Sequence, residues 1–138
     1  MEKLKGKVAI VTGGSSGIGK GIALKFAFEG ANVIIIGRHE DTLKELVLEN
    51  DNISYVVGDM TDENTIKKII EKVDKEYHGR LDILVNNAGW CPVKSIKEMV
   101  IEDYDKAFDL DVKAVVHLTI NVLPYLLKTK GNIINLSS

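Results

Sequence analysis

A glycine-rich segment, Thr12 to Gly19, constrains the fold of this chain more than any other feature. The apolar run Val8–Val11 before it predicts a buried strand. The apolar residues after it recur at helical spacing as far as Gly30, which can end a helix. A glycine-rich turn between a strand and a helix directs the unpaired N–H groups of the helix start at an anion. The segment therefore predicts a phosphate-binding site for a nucleotide.

The glycines of this segment have distinct predicted tasks. Gly13 allows a tight turn, Gly17 lets the backbone approach a phosphate, and Gly19 lets the helix pack closely on the strand. The spacing Gly-x3-Gly-x-Gly differs from the GxGxxG pattern of many dehydrogenases. No Lys-Ser or Lys-Thr follows, so the segment is not a Walker loop either.

The rest of the chain alternates β-branched runs with amphipathic stretches, which predicts a parallel sheet with helices on both faces. Further strands are predicted at Val33–Ile36, Ile53–Val57, Leu81–Val85 and Ile133–Leu136. Further helices are predicted to end near Asn50, to begin at a Thr61 cap, and to run from about Ile101 to Leu127, with Pro124 bending or tightening the last turns. The expected architecture is a doubly wound α/β domain of five strands over residues 1–138.

Composition excludes several classes of protein. The 138 residues are 45% apolar and 28% charged with a net charge of −2, which is typical of a soluble globular domain and excludes a polybasic nucleic-acid binder. No segment approaches the roughly 20 apolar residues that span a bilayer. One cysteine suits a reducing compartment, and the three histidines lack ligand spacing. We expect a cytoplasmic protein without membrane, nucleic-acid or metal binding.

Four short motifs follow one another along the chain, and together they identify a family: Thr12–Gly19, Gly58-Asp59-Met60, Asn86-Asn87-Ala88-Gly89 and Asn135-Leu136-Ser137-Ser138. With them the chain resembles the short-chain dehydrogenase/reductase family, and is similar to its 3-oxoacyl-acyl-carrier-protein reductase-like members. The resemblance implies a Rossmann-like fold and hydride transfer between a nicotinamide cofactor and a small carbonyl or alcohol substrate. It also implies a homo-oligomer, a tetramer or a dimer.

The resemblance assigns cofactor contacts to residues of three motifs and to one arginine. In similar proteins the residue at Asp59 accepts a hydrogen bond from the adenine amino group and Met60 makes a backbone contact, although Asp59 also suits a plain turn. The implied cofactor-binding set is Thr12, Gly13, Ser15, Ser16, Gly17, Ile18, Gly19, Arg38, Asp59, Met60, Asn87, Ala88 and Gly89.

Arg38 favours NADP as the cofactor. NAD-specific relatives carry an acidic residue at the end of the second strand, where this chain has Gly37 followed by Arg38. A guanidinium can donate two hydrogen bonds to a 2′-phosphate. A solvated surface arginine is the alternative, and NAD remains possible.

Ser138 matches the family's catalytic serine, with Ser137 as the neighbouring alternative, and it would bond a substrate carbonyl oxygen. Asp111 stands where similar proteins carry an asparagine of the proton relay. The family's Tyr-x-x-x-Lys pair is absent, because Tyr55, Tyr77, Tyr104 and Tyr125 are followed four residues later by Asp59, Leu81, Phe108 and Thr129.

We therefore expect a cofactor-binding part of a longer enzyme, lacking the later strands and helices of the family fold and inactive alone. A non-catalytic nucleotide-binding module is the alternative. Without the later strands, the fifth strand is expected to be an exposed apolar edge of the sheet, which favours association between chains.

Overall fold

A computed structural model describes residues 2–137 and contains a five-stranded sheet, all of whose strand pairs are parallel. The strands are β1 (Val8–Thr12), β2 (Asn32–Gly37), β3 (Ile53–Val57), β4 (Ile83–Asn86) and β5 (Asn132–Asn135). The α-helices are α1 (Gly17–Phe28), α2 (Glu40–Glu49), α3 (Glu63–Glu76), α4 (Ile101–Phe108) and α5 (Ala114–Thr129). The predicted doubly wound α/β fold is confirmed.

The strand order β3-β2-β1-β4-β5 places β1 at the centre. The chain first moves outward from β1 to β3 and then returns to place β4 on the other side of β1. Val11 pairs with Ile35 of β2 on one side and with Val85 of β4 on the other. In sheets of this kind, ligands bind beyond the carboxyl ends of the strands where the order reverses. The end of β1 is therefore the expected binding position.

Each face of the sheet is covered by its own helices, which explains why the central strands are apolar throughout. Ile10 and Leu84 belong to the core beneath α3 and α5, whereas Val11 and Ile35 belong to the core beneath α1 and α2. All five residues of β1 are buried. Strands buried on both faces read as continuous apolar runs rather than alternating ones.

Several element ends differ from the sequence prediction. Strand β4 begins two residues later than predicted and β5 one residue earlier, a difference of the usual size for element ends. The predicted Thr61 cap of α3 is wrong. The Thr61 hydroxyl donates to Asp59 at 2.8 Å, and Asp62 caps the helix instead by accepting from the Asn64 N–H at 2.9 Å.

The predicted long helix is interrupted. A π-helical turn, Asp109–Lys113, lies between α4 and α5, so the single helix predicted from Ile101 to Leu127 is wrong in its interior. Helix α5 carries Pro124 and extends to Thr129, where Lys130 adopts a left-handed conformation at the C-cap. π-Turns insert one residue into a helix and occur frequently at functional sites.

By length and composition alone, the helical stretch Ile101–Thr129 is long and apolar enough to cross a membrane. The prediction that no segment of the chain is long and apolar enough to span a bilayer is therefore wrong for this stretch. Leu118, Val122 and Leu126 of this stretch are buried in the core under the sheet. Core helices of soluble proteins that are mostly buried meet the same criterion, whereas 22% of the most apolar part of this stretch is buried.

Candidate functional site

The segment from Thr12 to Gly19 forms a tight turn that only glycine permits at its key positions. Gly13 and Gly17 have φ of +64° and +55°. A Cβ added to Gly13 would lie 2.9 Å from the Asn87 side-chain nitrogen, and one added to Gly19 would collide with the Gly13 carbonyl. At Gly17 an added Cβ would meet no atom within 4 Å. The segment is packed on its inner side and open on its outer side.

Helix α1 begins at the outer side of this turn. Its N-cap, Ser16, makes no side-chain capping bond, and the first turn of this described helix contains no acidic residue. The first N–H groups of a helix have no intrahelical acceptor, and they carry partial positive charge. The start of α1 is therefore suited to bind an anion.

Hydrogen bonds to β4 and to the loop that follows it hold this turn in place. The buried Thr12 hydroxyl accepts from the N–H groups of Asn87 and Ala88, both at 3.0 Å, and donates to the Val85 carbonyl at 3.4 Å. The Asn87 amide donates to the carbonyls of Thr12 and Gly13, both at 3.1 Å. The polar groups of Thr12 and Asn87 thus fix the shape of the glycine-rich segment.

The turn opens onto a cavity of about 620 Å³ at the carboxyl ends of β1, β2, β3 and β4. Its lining includes most of the predicted cofactor residues, which the fold brings together from four loops: Gly13, Ser15, Ser16, Arg38, Asp59, Met60, Asn87, Ala88 and Gly89. Thr12 lies buried behind this lining and Ile18 is 68% exposed beside it. Helix α4 supplies the remaining wall with Glu102, Asp105 and Lys106.

Two charged residues, Arg38 after β2 and Asp59 after β3, lie at one end of the cavity. Hydrogen bonds from the Thr61 N–H at 2.9 Å and the Thr61 hydroxyl lower the pKa of the Asp59 carboxyl below its usual value, despite its partial burial. The charges of Arg38 and Lys106 act in the same direction. Asp59 is therefore ionised and can accept a hydrogen bond from a ligand. Met60 is buried beside it.

A glycine, a hydroxyl group and an arginine lie together at the end of β2. A Cβ added to Gly37 would lie 3.2 Å from the Ser15 hydroxyl oxygen, so a side chain there would press on that hydroxyl. Arg38 follows on the exposed loop. Gly37, Ser15 and Arg38 thus form one corner of the cavity.

Asp111 lies in the π-helical turn and does not line the cavity itself, although its contacts Gly89 and Trp90 do. Its carboxylate accepts from the Trp90 N–H at 2.8 Å and lies beside Gly89, where an added Cβ would be 3.2 Å from the same oxygen. Asp111 therefore ties the loop after β4 to the helix. Ser138 lies outside the described residues, and Ser137 is exposed at the end of the described chain.

Sequence reasoning missed Lys106 and the other cavity residues of α4. Lys106 lies over the Trp90 ring, with its ammonium 3.9 Å from the ring centroid. The sequence predicts that α4 is helical but contains no local signal for which face meets the cavity. Among residues 2–137, no group of three or more His, Cys, Asp or Glu side chains is arranged to hold a metal ion.

Comparisons with known proteins identify related sequences and folds. The sequence model of the family described as short chain dehydrogenase matches residues 7–138. The chain is 41% identical over 142 residues to the 3-oxoacyl-acyl-carrier-protein reductase FabG of Thermotoga maritima, covering 99% of this chain and 57% of the relative. It is 39% identical over 140 residues to the uncharacterized oxidoreductase SERP2049 of Staphylococcus epidermidis, covering 100% and 60%.

Solved structures of dehydrogenases also match the fold of this chain. The apo form of a glucose dehydrogenase of Caenorhabditis elegans matches with a TM-score of 0.88 and 39% identity, over 99% of this chain and 56% of the other. A short chain dehydrogenase from Bacillus anthracis matches with a TM-score of 0.87 and 37% identity, over 96% and 57%. The chain thus spans a little over half the length of these proteins.

Proposed function

The chain belongs to the short-chain dehydrogenase family, and from that premise we propose that it is the cofactor-binding part of an NADP(H)-dependent oxidoreductase acting on a carbonyl or alcohol substrate. Residues 1–138 are proposed to form its dinucleotide-binding domain. The cofactor, when bound, supplies or accepts the hydride. The T. maritima relative is named as a 3-oxoacyl-acyl-carrier-protein reductase, which supports a reductase of keto or hydroxy compounds.

The observation that carries the proposal is the glycine-rich turn opening onto the cavity where the strand order reverses. The start of α1 would hold a pyrophosphate through its N–H groups, since no side chain of the described residues caps it. Asp59 would accept a hydrogen bond from the adenine amino group, with Met60 contributing its backbone. These residues would hold a dinucleotide with its pyrophosphate at the start of α1 and its adenine at Asp59.

The corner formed by Gly37, Ser15 and Arg38 supports NADP over NAD. An acidic side chain at position 37 would repel a 2′-phosphate, but glycine has none. The Arg38 guanidinium can donate hydrogen bonds to the phosphate, and the Ser15 hydroxyl lies next to the same corner. NAD lacks this phosphate and would gain nothing from Arg38.

Ser138 and Asp111 are the proposed catalytic residues within this chain. The Ser138 hydroxyl would donate a hydrogen bond to the substrate oxygen as negative charge develops there. Asp111 would order the end of the cavity through its hydrogen bond to the Trp90 N–H. Because no tyrosine of the sequence is followed by lysine four residues later, we propose that these 138 residues alone do not turn over.

A non-catalytic nucleotide-binding module is the second candidate, since the glycine-rich turn and the cavity could bind a nucleotide without turnover. Either protein would be cytoplasmic in our proposal. Exposed apolar residues on α5, Val116 at 52% and Ile120 at 64%, support a homo-oligomer.

Turnover separates the two candidates. The full natural protein is mixed with NADPH and a panel of ketones and aldehydes, and the absorbance of the reduced cofactor is followed. The oxidoreductase proposal expects loss of that absorbance well above a no-protein control. Binding of NADP without any turnover in the full natural protein would favour the module.

A further inference from the structure

Lys106 is the one lysine that lines the main cavity among the described residues, and the proposed cofactor contacts leave it without a role. It lies on the face of α4 that also carries Glu102 and Asp105, and Asp109 of the π-helical turn lines the cavity beside them. Its ammonium rests 3.9 Å from the centroid of the Trp90 ring. Lys106 is exposed and Trp90 is half-buried, so this cation–π contact can be exchanged for an ion pair with an anion.

The position of Lys106 opposes that of the glycine-rich segment. That segment leads into α1, which covers one face of the sheet, whereas α4 continues into α5 on the other face. Gly13, Ser15 and Ser16 of the segment and Lys106 of α4 line the same cavity. An anion held by the start of α1 would therefore lie between α1 and the wall that carries Lys106.

The charges of the cavity explain why a second cation is needed. Its described lining includes four carboxylates, Asp59, Glu102, Asp105 and Asp109, but only two permanent cations, Arg38 and Lys106. A pyrophosphate brings further negative charge into this lining. Arg38 lies at the corner proposed for the 2′-phosphate, which leaves Lys106 to balance the pyrophosphate. Both cations line the same cavity as Asp59.

We propose that Lys106 binds the pyrophosphate of the dinucleotide, moving from the Trp90 ring to form an ion pair from the wall opposite the glycine-rich segment. The inference rests on the proposed cofactor site and assigns it a residue on α4. The ion pair is formed with NAD and NADP alike, since both contain the pyrophosphate. Arg38 in contrast would distinguish them.

Adenosine 5′-diphosphate is the probe, because it carries the diphosphate without a 2′-phosphate or a nicotinamide. Its affinity is measured by titration calorimetry at fixed salt for the full natural protein and for Lys106→Gln and Lys113→Gln. Lys113 is an exposed lysine in the π-helical turn that does not line the cavity, so its variant has the same change in charge. We expect Lys106→Gln to weaken binding about three- to tenfold and Lys113→Gln to leave it within twofold.

Trp90 gives a second readout, since it is the single tryptophan of the sequence. Departure of the Lys106 ammonium from the ring changes the indole emission when the probe binds. This change should be equal in the unmodified protein and Lys113→Gln, and smaller in Lys106→Gln.

The outcomes separate this inference from the proposed function. Equal affinities and equal emission changes in all three proteins would overturn the role of Lys106 and leave the cofactor site intact. If the unmodified protein binds neither the probe nor NADP, the proposed function itself fails. A loss in Lys106→Gln that is matched by Lys113→Gln would show a general charge effect and would also overturn the inference.

Discussion

Replacing Thr12 by valine tests whether its hydroxyl holds the glycine-rich segment. Valine keeps the shape of threonine but removes the acceptor of the Asn87 and Ala88 N–H groups, each at 3.0 Å, and the donor to the Val85 carbonyl. Thr12 is only 3% exposed, so water cannot readily replace the hydroxyl. An unsatisfied buried donor costs about 1–3 kcal/mol.

The two N–H groups belong to half-buried residues, so losing the acceptor should cost about 1 kcal/mol for each of them, the lower end of the range. The hydrogen bond to the Val85 carbonyl is long and adds little. We expect Thr12→Val to lower the free energy of unfolding by about 2–3 kcal/mol. Thr12→Ser is the matched control, because it keeps the hydroxyl and loses one methyl group, worth about 0.8 kcal/mol.

Urea unfolding of the full natural protein, followed by far-ultraviolet circular dichroism at one protein concentration, measures both variants. The valine variant should be less stable than the serine variant by about 1–2 kcal/mol. Equal stability of the two variants would refute the assignment of the hydroxyl as the acceptor that fixes the segment.

Three other outcomes are expected. Gly19→Ala should destabilise the protein by about 2 kcal/mol or more and weaken cofactor binding, because the new Cβ collides with the Gly13 carbonyl. Gly21→Ala is the control in the same helix, where the new Cβ meets open space and should stabilise the protein by about 0.5–1 kcal/mol. If urea unfolding shows only a mild loss of stability for Gly19→Ala, the close packing at Gly19 is contradicted. Burial raises the pKa of Asp82, but hydrogen bonds from Arg80 and the Val8 N–H, with the charges of Arg80 and Lys7, lower it further than burial raises it. The pKa of Asp82 in the folded protein lies below its unfolded value of about 3.9, so the ionised carboxylate stabilises the folded state above that pH and loses this effect as the pH falls through the folded pKa. The stability lost in Asp82→Asn should therefore shrink below about pH 4. A loss of stability that does not depend on pH would contradict the ion pair. The 138-residue polypeptide alone should associate in light scattering, since Ile133 and Ile134 of the edge strand are 40% and 43% exposed, and a dilute stable monomer would argue against this.

The sequence was sufficient to predict the sheet, because each strand is an apolar run separated from the next by a helical pattern. The glycine-rich segment was equally predictable, since Gly13 and Gly19 occupy positions where the backbone or its neighbours leave no room for a side chain. These features depend on local sequence.

Features that depend on tertiary contacts were not predictable. The π-helical turn involves Asp111 and the Trp90 N–H, which are 21 residues apart. The cap of α3 moved from Thr61 to Asp62 because the Thr61 hydroxyl bonds Asp59 instead. Lys106 was missed because only the packed orientation of α4 brings it to the cavity.

The affinities of NADP and NAD for the full natural protein test the central claim most directly. Titration calorimetry at fixed salt compares both cofactors in the unmodified protein and in Arg38→Ala, since exposed ion pairs are screened by salt. A charge-assisted hydrogen bond contributes about 1.5–3 kcal/mol, or about ten- to a hundredfold in affinity. We predict tighter binding of NADP than of NAD, with NADP weakened by about this factor in Arg38→Ala and NAD nearly unchanged. Tighter binding of NAD by the unmodified protein would contradict the NADP assignment, and binding of neither cofactor would contradict the site itself.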